Sequence, residues 1–229
     1  MRSPLKLTAL LALVMFAFSL IGGTGVGAQD EMQDTLQPSD LEGIEYGVSR
    51  SWSVDYEAMM ASSTPSADMA MPTGVLFMIG MVLEFDDEGN AEAGFDAFMD
   101  DIDTSDLSMD EDVPAEEWDI ELGNKSASYA STSDVEGMET EISISVVQDD
   151  NYLYVISSAG SGEDMKSVTK SVMETMIDND GSGEGEFNED GTSSGGLWDK
   201  LPGSDDDVVA DLVAMDEVVY PEPEGDDAS

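Results

Sequence analysis

Carboxylates dominate this chain and limit what it can become. It carries 52 Asp and Glu against seven Lys and Arg, with no His, for a net charge of −45 over 229 residues. Two of the seven cations, Arg2 and Lys6, lie in the N-terminal leader, which leaves Arg50, Lys125, Lys166, Lys170 and Lys200 to the rest. Such a chain repels itself when compact, and salt relieves the repulsion: the Debye length falls to roughly 3 Å at about 1 M. With no cluster of cations to displace counterions from phosphates, nucleic acid and anionic membranes are excluded as partners. Cations and basic or neutral extracellular molecules remain.

Residues 1–28 read as a cleavable export signal. Arg2 and Lys6 make a positive start, residues 7–21 an apolar run, and Val26-Gly27-Ala28 offers small residues for cleavage. The apolar run is shorter than the roughly 20 residues that span a bilayer, and it ends in Gly22-Gly23. No twin arginine precedes it, so general secretion is the expected route. No Cys is present, which excludes disulfides, thiolate metal sites and lipid attachment through Cys. The expected location is extracellular, free or held at the cell surface. Asp outnumbers Glu, Lys is scarce and apolar content is ordinary. In this the composition resembles that of proteins from salt-loving microbes, whose surface carboxylates hold water and cations.

The composition divides the chain into residues 1–28 (signal), 29–40 (acidic leader), 41–177 (a folded domain) and 178–229 (an acidic Gly-, Ser- and Pro-rich tail). The tail is expected to be disordered, because it offers too little apolar area to offset its ordering entropy. Within 208–219, a last strand or a partner-induced helix is the alternative to a solvated tail.

In residues 48–56, Val48, Arg50, Trp52, Val54 and Tyr56 alternate onto one strand face. Residues 75–85 form a near-continuous apolar run, the pattern of a central strand, with Gly80 at a bulge or a crowded position. Phe95, Phe98, Met99 and Ile102 fall at helical spacing, with Asn90 as the expected cap. Two strands are expected near 118–122 and 125–131. Ile142, Ile144 and Val146 then alternate into an Asp149-Asp150-Asn151 turn and a strand over 152–157. Met165, Val168, Val172, Met176 and Ile177 make the stripe of a second helix.

The element order β-β-α-β-β-β-β-α predicts an α+β fold, an antiparallel sheet with two amphipathic helices on one face. The segments Asp40-Leu41-Glu42-Gly43, Phe85-Asp86-Asp87 and Glu121-Leu122-Gly123-Asn124-Lys125-Ser126-Ala127 sit at the starts of these elements. In this arrangement the chain resembles the small extracytoplasmic α+β modules of bacterial secreted proteins, lipoproteins and sensor ectodomains. The resemblance spans about 140 residues, and it implies location and fold more than activity.

Without His or Cys, the common nucleophile–base pairs and imidazole metal sites cannot be built. Lys125-Ser126 and Lys166-Ser167 are adjacent pairs whose side chains diverge. Two carboxylates suffice for glycoside hydrolysis, but a chain this acidic makes any pair uninformative. The sixteen Met residues are expected to fill core space.

Residues 178–189 resemble the twelve-residue calcium loop of an EF-hand. Asp178, Asp180 and Ser182 fall at loop positions 1, 3 and 5, Gly183 at 6, Glu184 at 7, Glu186 at 9 and Glu189 at 12. The preceding helix fits an entering helix. Gly185 replaces the usual aliphatic residue at position 8, and a breaker run, 190–196, stands where an exiting helix belongs. The alternative is a chance match inside an acidic linker.

The sequence thus predicts no catalytic residues and no obligate cofactor. It predicts a secreted, salt-adapted, non-enzymatic binding or surface-interaction protein. A calcium-responsive module using the 178–189 loop is the first alternative. A carboxylate-dependent extracellular hydrolase, requiring an aromatic-walled cleft with two carboxyls, is the second.

Overall fold

The computed structural model describes residues 41, 43–54, 74–102, 115–135, 138–161, 165–181, 186–187, 193–203, 206, 209 and 212–220. The expected export signal (1–28) and acidic leader (29–40) lie outside these residues.

The elements in chain order are β1 (Ile44–Val54), β2 (Gly74–Phe85), α1 (Glu88–Asp101), β3 (Glu116–Glu117), β4 (Lys125–Val135), β5 (Met138–Asp149), β6 (Tyr152–Ser161) and α2 (Met165–Asp178). Then come β7 (Glu186–Phe187), β8 (Ser193–Ser194), a 3-10 helix (Gly196–Lys200) and β9 (Leu212–Tyr220). Seven strands form one sheet in the order β3-β4-β5-β6-β2-β1-β9, with β7 and β8 pairing separately. Each neighbouring pair is antiparallel. This is the expected α+β class.

The helices do not share a face. Strand residues alternate sides, and on β6 Tyr154 and Ile156 join the cluster that holds Val172, Met173 and Met176 of α2. Their neighbours Leu153 and Val155 join the cluster that holds Ala91, Phe95 and Phe98 of α1. One helix therefore covers each side, and the central strands are buried on both. The continuous apolar run of β2 already demanded this, since a strand with one wet face alternates instead.

The local chemistry of each end is visible. Asp87, not Asn90, caps α1, its carboxylate accepting from the Asn90 backbone N–H at 2.9 Å. The β5–β6 hairpin turns at Asp150, whose φ of 49° lies in the left-handed region that Asp tolerates. Asn151 Nδ2 then donates to Phe85 O at 3.1 Å, tying that turn to the end of β2.

Within the expected tail, the described residues 193–203, 206, 209 and 212–220 depart from a solvated chain. The 3-10 helix buries Leu197 and Trp198, with Leu201 and Val209 following, against the α2 side of the sheet. β9 pairs along β1 from Gly47↔Tyr220 to Val54↔Leu212. These few apolar residues cannot form a core by themselves, but an existing sheet gives them one to join. Of the expected alternatives for 208–219, the added strand is the one observed.

Candidate functional site

The C-terminal segment closes a cleft on the α2 side of the sheet, at the β1–β9 end. The cleft is half-open to solvent and holds about 590 Å³ between Trp52 of β1, Trp198 of the 3-10 helix, Leu201, and β9. A register irregularity shapes it. Arg50 faces Glu217 and Trp52 faces Ala214, so two residues of advance on β1 meet three on β9. In a regular ladder Ala214 and Glu217 would point to opposite faces; the extra residue turns both toward the cleft.

Arg50 anchors this wall. Its Nε donates to Glu217 Oε1 at 2.6 Å and its Nη1 to Pro202 O at 3.0 Å. The guanidinium lies 5.7 Å from the Trp198 ring centre. The Arg50 and Glu217 side chains are only 10% and 11% exposed, so the pair is largely withdrawn from water. Asn179, Asp180, Asp199 and Asp206 complete the polar lining. One oxygen each of Asp199 and Asp206 accepts a backbone N–H, from Gly195 and Gly203. The cleft thus opposes four carboxylates to one guanidinium, which favours neutral or cationic ligands over anions.

Two polar atoms in this wall have no hydrogen-bond partner, Trp52 Nε1 and Glu217 Oε2, and both are buried. Trp52 is 1% exposed, with the Cζ3–Cη2 edge of its ring resting where Gly80 leaves room: a Cβ there would come within 3.2 Å of both atoms and of Leu201 Cδ2. Gly80 is thus the crowded position expected from the sequence.

A second cluster lies next to the cleft around Lys200, which is buried. Its Nζ donates to Asn179 O at 3.1 Å, and Asn179 Nδ2 donates back to Lys200 O at 3.4 Å. The ammonium sits 4.8 Å and 5.4 Å from the ring centres of Tyr152 and Tyr154. Burial lowers the Lys200 pKa, against the opposing pull of Asp180, Asp149 and Glu84. Burial likewise raises Asp149, with the Asp150 charge adding to the shift and Lys200 resisting it. Tyr154 is also pushed up, chiefly by burial.

This clasp bears on the calcium-like loop. α2 ends at Asp178, as an entering helix should. Asp178 and Asp180 are exposed, and Glu186 begins the short strand β7. Ser182, Glu184 and Glu189 lie outside the described residues, as does Gly183. Among the described residues, no group of three acidic side chains is placed to hold a metal ion. The cation beside the start of the loop is Lys200, whose aliphatic stem lies so close to Gly181 that a Cβ there would be 2.8 Å from Lys200 Cγ.

Sequence reasoning placed Arg50 and Trp52 on one strand face but not in a site, because their partners come from the segment read as a tail. Leu197-Trp198 and Lys200-Leu201-Pro202 were the available signal, an apolar island in an otherwise Gly- and Asp-rich stretch.

No protein-family model and no curated protein matches the chain. Among solved structures, it is similar to the extracellular domain of PknH from Mycobacterium tuberculosis, with 10% sequence identity and a TM-score of 0.31. The match covers 59% of this chain and 88% of that one. A likeness of this size bears neither on ligand nor on activity.

Proposed function

We propose that this chain is an exported, salt-adapted, non-enzymatic binding protein whose ligand seats in the cleft between β1, β9 and the 3-10 helix. The cleft carries the reading. Its volume of about 590 Å³ falls among small-molecule sites, roughly 300–1,000 Å³, and its lining joins buried indoles to convergent polar groups. The leader of residues 1–28 supports export. The −45 charge supports a saline setting and partners that are cationic or neutral. Lacking His and Cys, the site has no standard nucleophile–base pair, so recognition is the simpler role for it.

Ala214 is exposed on β9 and lines the cleft, so Ala214→Trp should fill the space without touching the core. The mature protein, incubated with the small-molecule fraction of its growth medium, should show a discrete adduct by native mass spectrometry. Ala214→Trp should lose it. An adduct retained in the filled variant would move the site elsewhere.

Calcium response through residues 178–189 is the second reading, favoured by the end of α2 falling at Asp178, loop position 1. Calorimetric titration with CaCl₂ in about 2 M NaCl, where diffuse attraction is screened, tests it. A saturable site that disappears in Asp178→Ala and that magnesium does not reproduce would establish the loop as a calcium ligand. A flat trace would remove it.

A further inference from the structure

We infer that the cleft recognises a neutral, hydroxyl-rich ligand, a sugar ring free or at the end of a glycan, through Trp52 Nε1 and Glu217 Oε2. This rests on the reading of the cleft as the binding site. The two atoms are chemically complementary opposites. The indole N–H can only donate, and the carboxylate oxygen can only accept. Each is buried and unpartnered, and both belong to side chains that line the same cleft from the adjacent strands β1 and β9. Buried polar groups in native proteins are nearly always paired, and leaving one unmet is costly. A ligand that answers both relieves two such costs at once.

Ligand classes separate on this requirement. An anion meets four carboxylates and a guanidinium whose Nε and Nη1 are already engaged by Glu217 and Pro202. An ammonium ion gains from the acidic field, but it only donates, so the Trp52 N–H stays unmet. A hydroxyl both accepts and donates, and a sugar presents several on a ring whose C–H faces suit an apolar floor. The remaining carboxylate oxygens of Asp199 and Asp206 are acceptors for the other hydroxyls. The two target atoms are shielded from bulk water, so binding through them requires the β9 wall to shift. That wall is an edge strand with β1 as its one neighbour in the sheet.

The test is calorimetric titration of the mature protein in about 2 M NaCl with glucose, galactose, mannose, xylose and N-acetylglucosamine, and separately with methylammonium and butylammonium. The expected result is one-to-one binding of at least one saccharide, weakened about tenfold by either Trp52→Phe or Glu217→Gln, each of which removes one hydrogen-bonding role. Near-ultraviolet circular dichroism confirms that each variant is folded. Glu217→Gln, nearly isosteric, carries the test if Trp52→Phe does not fold. Saccharide binding unchanged in the variants would overturn the inference. Ammonium binding alone, lost in Ala214→Trp, would overturn it while leaving the cleft as the site. No heat from any probe would remove both.

Discussion

Arg50 shows how one side chain can decide whether a segment joins a fold. Its guanidinium reaches Glu217 on β9 and the Pro202 carbonyl on the connection leading to that strand. Glu217→Ala would leave a guanidinium in a largely dry wall without its counterion. Removing one partner of a buried pair costs several kcal/mol, and the Pro202 contact that remains softens this, so a loss of about 2–3 kcal/mol is expected. Urea unfolding in 2 M NaCl measures it, and Glu217→Gln, which keeps an acceptor for Nε, should lose only about 1 kcal/mol. Asp149 makes the opposite kind of contribution. Its folded pKa stands above the ordinary 3.8, through burial first and the Asp150 charge second. The folded state then holds the proton more tightly than the unfolded chain. Asp149 therefore favours folding at low pH, and that contribution fades as pH rises from 3.8 through the raised value. Because Asp149 is only partly buried and keeps some contact with water, Asp149→Asn should gain no more than about 1 kcal/mol at pH 7. The gain should vanish near pH 3.5, and urea midpoints across pH 3.5–7 would show it. A constant gain at all pH values would reject the titration as its cause.

At the scale of elements, α1 lies against the sheet where Gly94 meets Phe85. A Cβ on Gly94 would fall 2.6 Å from Phe85 Cζ, and Phe85 is fully buried. Alanine in place of glycine inside a helix normally gains about 1 kcal/mol. Here overpacking, typically 1–3 kcal/mol, acts against that gain. Gly94→Ala should thus be destabilising by up to about 2 kcal/mol, with the loss read from thermal unfolding; a raised midpoint would show that the helix can lift off Phe85 freely. The same contact explains what the sequence revealed and what it hid. Phe95 and Phe98 announced a helix, and Ile142, Ile144 and Val146 a strand, because periodicity is local. The helix faces followed from β2, whose unbroken apolar run requires cover on both sides, a constraint that economy of layers alone did not respect. β9 was legible only as an alternative to a solvated tail, because Leu212–Tyr220 gains its meaning from β1, some 160 residues earlier. The cleft inherits that difficulty: Arg50, Trp198 and Glu217 meet only after β9 has docked. The calcium-like loop posed the reverse problem. Its spacing is conspicuous in the sequence, whereas the Lys200 ammonium beside Asn179 and Asp180 becomes visible only in the fold.

For the whole molecule, the question is how a chain with a net charge of −45 stays compact around so few cations. Arg50, Lys125 and Lys200 hold specific positions, at the β9 seam, between Glu92 and Asp96 of α1, and over the Tyr152 and Tyr154 rings. They fasten seams locally and cannot neutralise the field. At about 10 mM NaCl the Debye length is roughly 30 Å, comparable to the width of a domain, so nearly every pair of carboxylates repels. At about 1 M it is roughly 3 Å, and only contacting pairs still interact. Apolar burial on both faces of the sheet changes little over that range except to strengthen with salt. Stability should therefore climb steeply between these limits and flatten above about 1 M, with β9 the first element lost on dilution. It is an edge strand, and among the described residues the Arg50–Glu217 pair ties it to β1. Amide hydrogen exchange followed by mass spectrometry across an NaCl series would resolve the order. Protection over 212–220 should fall at a higher salt concentration than protection over β5 and β6. Simultaneous loss would mean that β9 belongs to the same cooperative unit as the central strands. Protection unchanged at 10 mM would mean that the core carries its charge without help from salt, and would remove the argument for a saline habitat.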